Sequence, residues 1–130
     1  MREGDLTRKL VAHLRKELPK AVVLRHVDAV TAGVPDVSVT LCGRTTWLEV
    51  KHVNPHERHG AVQALMCQRL GKAGHCYYVY FYGDPRRNDL NCPARTAVLT
   101  ADLRVCVDSC DGHSVELVRL FIERSYGKMR

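Results

Sequence analysis

Two carboxylates and a lysine stand in an arrangement suited to phosphodiester chemistry. Asp36 closes the stretch Gly33-Val34-Pro35-Asp36, and after twelve intervening residues comes Glu49-Val50-Lys51. Side chains alternate faces along a β-strand, so Glu49 and Lys51 would point the same way. A short hairpin through Cys42-Gly43-Arg44 would lay Asp36 beside them. Asp36 and Glu49 are hard oxygen ligands of the kind that hold Mg²⁺ or Mn²⁺, and the backbone carbonyl of Val50 could add another oxygen. An ion there would polarise a phosphate and acidify a bound water. Lys51 would orient or deprotonate that water, or neutralise charge developing on the phosphate. The bland alternative is a surface ion pair of Lys51 with Asp36 or Glu49 on the solvent face of a sheet.

The elements that must position these residues can be traced along the chain. Leu6, Leu10, Leu14 and Leu18 recur every fourth residue, which predicts a helix over 5–18 with Asp5 as its N-cap and Pro19 as its stop. Residues 21–27 are apolar enough for a first strand, and Thr31-Ala32-Gly33 supplies a turn. From Val34 to Leu41 the pattern alternates, with Val37, Val39 and Leu41 on one face and Asp36, Ser38 and Thr40 on the other. From Thr45 to Lys51, Thr46, Leu48 and Val50 oppose Trp47, Glu49 and Lys51. One face thus buries aliphatic groups while the other carries the charged cluster, and a one-residue slip would destroy the agreement.

A polar connection over 52–60 leads to a helix over 61–72, with Val62, Leu65, Met66 and Leu70 as its apolar stripe and Gln63 at the edge of it. Gly71 and Gly74 fit its stop. Residues 75–82, His-Cys-Tyr-Tyr-Val-Tyr-Phe-Tyr, carry the strongest strand signal in the chain. A loop over 83–93 follows. Short strands over 96–100 and 103–107 and a helix over 114–125 complete the order. The sum is an α/β domain with a mixed sheet flanked by helices.

A chain of 130 residues fits one domain, here 1–130, with a core over 3–82 and a C-terminal extension over 83–130. The formal net charge of +6 favours a polyanionic partner, and nucleic acid is the commonest. No apolar run approaches the ~18 residues of a membrane span, and the first residues lack the apolar core of a signal peptide. A cytoplasmic protein with reduced cysteines is the expectation.

Gly33-Val34-Pro35-Asp36 followed by Trp47-Leu48-Glu49-Val50-Lys51 resembles the PD-(D/E)XK nuclease signature. Gln63, with Leu70 and Ala73-Gly74 ahead of a β-run, is similar to its VRR-Nuc branch, the virus-type replication-repair nucleases. The resemblance covers roughly residues 3–82; residues 83–130 lie outside it. It implies a restriction-endonuclease-like fold with an αβββαβ core and metal-dependent cleavage of DNA. It also implies Asp36 and Glu49 as metal ligands, Lys51 as the catalytic lysine, and Gln63 as the helix residue beside the site. Members often carry an acid on the first helix, for which Glu3 is the best match and Glu17 the alternative. Stand-alone members resemble Holliday junction resolvases and act as dimers, which implies a homodimer, a branched DNA substrate, and a phage or mobile-element source with the host cytoplasm as its location. Rival functions are a restriction-type or nicking endonuclease, a catalytically silent DNA-binding module, and an RNA-processing nuclease.

Other signals are weaker. His52, His56 and His59 cluster after the second strand of the hairpin, but Pro55 interrupts any helix that could align them on zinc. With Arg58 they better suit a basic lip on phosphate. Cys106, Cys110 and His113 have loose ligand-like spacing without a second cysteine pair. Arg86 and Arg87 on a loop tip could touch backbone phosphates. Trp47 is expected to pack against the fold rather than stack on a base.

Overall fold

The computed structural model describes residues 3–27, 34–53, 75–87 and 89–127. Eight elements follow in chain order: α1 (Glu3–Glu17), β1 (Val22–Arg25), β2 (Val37–Leu41), β3 (Arg44–Val53), β4 (His75–Tyr82), β5 (Arg95–Thr100), β6 (Cys106–Asp111) and α2 (Val115–Gly127). The strands form one six-stranded sheet in the order β1-β2-β3-β4-β5-β6. The pair β3–β4 is parallel and all other neighbours are antiparallel. This is a mixed α/β fold, as the patterning predicts. The expected helix over 61–72, with Gln63, lies outside the described residues, as do the turn at 31–33 and the residues His56, Arg58 and His59.

The core lies on one face of the sheet. Leu6, Leu10 and Leu14 of α1 are buried against Val37, Val39, Leu48, Val50, Val79, Phe81 and Val98. Val118, Ile122 and Tyr126 of α2 join the same cluster. Each such side chain contributes about 1.5–3 kcal/mol relative to exposure. α2 therefore packs beside α1, and the last third of the chain is part of the main core. The Tyr126 hydroxyl donates to the Arg44 carbonyl at 2.9 Å and lies 3.1 Å from Thr46 Oγ1, pinning α2 to the start of β3. On the other face, Cys76, Tyr78 and Tyr80 form a second buried cluster with Trp47 and Leu99 packed on it.

The β2–β3 hairpin has the register that the alternation requires, with Leu41 opposite Arg44, Val39 opposite Thr46 and Val37 opposite Leu48. Its two-residue turn places Cys42 and Gly43 at φ 53° and 75°. Both angles are positive, the form whose twist matches a hairpin.

Several boundaries differ from expectation. β2 begins at Val37, because Pro35 has no N–H for a ladder and Asp36 sits in a bend. β3 runs on to Val53 and takes His52 out of the polar connection, since parallel pairing to β4 continues through Val53 opposite Tyr82. β6 occupies Cys106–Asp111 rather than 103–107, with Leu103 in a turn at φ 64°. α1 starts at Glu3, so Asp5 lies inside the first turn, paired with Arg8, and is not the cap. Among the described residues no helix is long and apolar enough to cross a membrane, and none of the five described cysteines is in a disulfide.

Candidate active site

The site grows out of a mismatch in strand length. β3 has 10 residues and β2 has 5, and β2 reaches only as far as Leu48 of its partner. Past that point no strand among the described residues lies along the edge of β3 that faces β2. Backbone N–H groups emerge there at every second residue. Asp36 Oδ2 accepts the N–H of Val50 at 2.9 Å. Glu3 Oε2 accepts the next one, that of His52, at 3.0 Å. Two carboxylates, one from the start of β2 and one from the first turn of α1, thus take the place of a missing strand. In a β-strand the carbonyl leaves by the same edge as the N–H of its residue, so the Val50 carbonyl faces this side too.

Each carboxylate is held from behind. The Asp36 carbonyl accepts the N–H of His26 at 2.7 Å. The His26 ring lies 2.8 Å from Ser38 Oγ and 5.2 Å, centroid to centroid, from Trp47. Glu3 is fixed by the burial of Leu6 one turn later, and its carbonyl accepts the Thr7 hydroxyl at 3.0 Å. The structure thus brings Glu3 to the same strand edge as Asp36. Glu17 is exposed at the other end of α1, about 21 Å along the helix axis.

Glu49 and Lys51 project from the same strand on the tyrosine face. Glu49 lies opposite Tyr78 and Lys51 opposite Tyr80. Glu49 is 0% exposed, so any ion pair it makes does not lie on a solvent face. A glutamate rarely reaches that depth unless it is paired or serves a bound group. Lys51 is half-buried. Trp47, also half-buried, packs on the Cys76–Tyr78–Tyr80 cluster, as expected from its position between strand residues.

Among the described residues no group of three or more His, Cys, Asp or Glu side chains could hold a metal ion. What this edge offers is carboxylate and carbonyl oxygen without nitrogen or sulfur. That chemistry suits Mg²⁺, which is commonly held by one or two carboxylates with water and substrate oxygen completing its shell. It does not suit zinc. Cys106, Cys110 and His113 form no metal cluster, and His52 and His113 are otherwise engaged. Their Nε2 atoms donate to the carbonyls of Gly83 at 2.7 Å and Tyr82 at 2.8 Å. The two rings meet edge to face, 5.7 Å apart. They tie the end of β3 to the loop after β4.

That loop is ordered by its own side chains. Asp84 Oδ1 accepts the Arg86 N–H at 2.9 Å, and its carbonyl accepts the Arg87 N–H at 3.0 Å. The Arg86 N–H holds the Asp84 carboxyl below the usual carboxylate range. Arg86 and Arg87 remain exposed.

His26 and the backbone of His52 are the contributors that patterning does not reveal. Both act through main-chain groups whose role depends on which strand lies alongside, and no residue type signals that. Gln63 lies outside the described residues. No protein-family model matches the chain, and no curated protein matches it.

Proposed function

We propose that the chain is a Mg²⁺- or Mn²⁺-dependent DNA endonuclease of the PD-(D/E)XK type, of the VRR-Nuc branch, acting on branched or otherwise structured DNA. The observation that carries this reading is the alignment of Asp36 and Glu3 along the unpaired end of β3, next to the residues Glu49-Val50-Lys51. Asp36, Glu49 and the Val50 carbonyl would hold the ion, which supplies Lewis acidity toward a phosphate and an activated water. The Val50 and His52 N–H groups fix the two carboxylates before any ligand arrives, so little reorganisation is needed on binding. Lys51, on the tyrosine face, would reach the same region to hold or move a proton at the attacking water, or to offset charge on the phosphate. The net charge of +6 supports a polyanionic substrate. Paired cuts across a junction would require two copies of the chain.

The rival reading is a DNA-binding module without chemistry, against which the presence of Asp36, Glu49 and Lys51 together argues. One experiment separates them. Four-way junction, flap and linear duplex, as DNA and as RNA, are incubated with wild type, Glu49→Ala and Lys51→Ala in Mg²⁺, Mn²⁺ or EDTA. Cleavage of DNA that needs metal and is lost in both variants supports the nuclease. Unchanged cleavage in either variant refutes the site assignment, and binding without cleavage in any metal supports the module.

A further inference from the structure

The unpaired arginines sort by their place on the sheet. β1, β3, β4 and β6 run one way and β2 and β5 the other. The ends of β1, β3 and β4 therefore share one rim with the starts of β2 and β5, and Asp36, Lys51 and the His52 N–H lie on it. Arg8, Arg119 and Arg124 are paired with carboxylates. Arg15 donates to the Val23 carbonyl, and Arg44 is bonded to His75. Arg25, Arg86, Arg87, Arg95 and Arg104 make no ion pair among the described residues, and all are exposed. Four of these five stand on the rim that holds the carboxylates. Arg25 ends β1, Arg95 begins β5, and Arg86 and Arg87 sit on the loop between β4 and β5. Arg104 alone lies at the opposite end, in the β5–β6 turn.

A Cβ built on Gly4 would lie 3.7 Å from Arg25 Nη2, so this guanidinium stands beside the first turn of α1, the turn that carries Glu3 and Asp5. Arg95 faces Asp111 in the ladder without forming an ion pair with it. The acids of the loop accept from its own backbone, Asp84 from the Arg86 N–H and Asp89 from the Asn91 N–H. The cations are left facing solvent.

We infer that Arg25 on one flank, and Arg95 with Arg86 and Arg87 on the other, form a rail for the backbone of duplex DNA crossing the sheet rim, with β3 near its centre. The inference rests on the nuclease reading and adds where the substrate lies. β1 and β5 are separated by four strand spacings, about 19 Å, which corresponds to five or six base pairs at ~3.4 Å rise. The scissile bond then has duplex contacts on both sides, as an endonuclease needs, rather than a free end.

The test is fluorescence anisotropy of labelled duplex with the full chain in EDTA, which separates binding from cleavage. Arg25→Ala, Arg95→Ala and the double variant Arg86→Ala/Arg87→Ala are compared with Arg104→Ala and Lys20→Ala, exposed cations away from the rim. Circular dichroism and melting curves verify folding. Each rim arginine removed should lower the slope of log affinity against log salt by about 0.9, and the two controls should match wild type. Wild-type binding that survives all three rim variants, or falls equally in the controls, overturns the rail alone. A wild type that binds no duplex overturns the rail, and one that also fails to bind a labelled four-way junction overturns the nuclease reading with it.

Discussion

Replacing Asp36 separates its two roles. Its carboxylate accepts the Val50 N–H at 2.9 Å in a half-buried setting. In Asp36→Ala that N–H loses its acceptor, and no strand among the described residues lies alongside to replace it. Losing a hydrogen bond to a charged group costs about 1.5–3 kcal/mol, and partial exposure puts the expected loss near ~2 kcal/mol. A domain of this size shifts by roughly 4 °C in melting temperature per kcal/mol, so Asp36→Ala should melt about 8 °C below wild type in EDTA. Asp36→Asn keeps an oxygen for the N–H and loses only the charge assistance, about half of the effect, so its deficit should be about 4 °C. Metal gives the second readout. At a hundred times its dissociation constant, Mg²⁺ should stabilise wild type by about 2.7 kcal/mol, and neither variant should gain comparably. Differential scanning fluorimetry across a Mg²⁺ and EDTA series measures both. Asp36→Ala that melts with wild type refutes the strand-end role. Asp36→Asn that retains the full Mg²⁺ gain refutes the ligand role.

Three other outcomes are expected. Gly83→Ala would place a Cβ 2.5 Å from the Cys92 carbonyl oxygen at a φ of +67°, so it should lower stability by more than ~2 kcal/mol in urea denaturation and loosen the arginine loop. Tyr126→Phe leaves the Arg44 carbonyl and Thr46 Oγ1 without the hydroxyl and should lower stability by about 1–2 kcal/mol with the fold kept by circular dichroism. Arg119 and then His13 hold the Glu116 carboxyl down at about 2 against an ordinary 4.5. A carboxylate held below its unfolded value adds stability that is whole above pH 4.5 and fades as pH falls toward 2. Urea midpoints of wild type and Glu116→Gln should therefore converge across that window.

The hairpin at the centre of the site was legible because two constraints agreed. Period-two alternation on both strands and a two-residue turn leave one register, and that register puts Asp36 beside the Glu49 strand. β4 was legible for a different reason: seven of its eight residues favour strands by aromatic, β-branched or buried-cysteine character. Where neighbours decide, sequence is silent. Cys106–Asp111 is polar, and only the partner β5 makes it a strand. The depth of Glu49 depends on what covers its face, and alternation cannot distinguish a solvated face from a packed one. Glu3 was legible as a candidate but not as a strand-edge acceptor, because its contact with His52 spans 49 residues of chain.

The place of β4 in the sheet has a consequence for how the chain can be divided. Its aromatic run is bordered by β3 on one side and β5 on the other, so neither edge is open to solvent. A fragment ending at Tyr82 would keep every candidate ligand yet strip one border from a long, uncharged, aromatic strand and remove Val118, Ile122 and Tyr126 from the core. Such an edge is a template for intermolecular pairing. Residues 83–127 thus shield β4 from self-assembly, and trimming the chain at Tyr82 should yield an aggregate in place of a smaller folded domain.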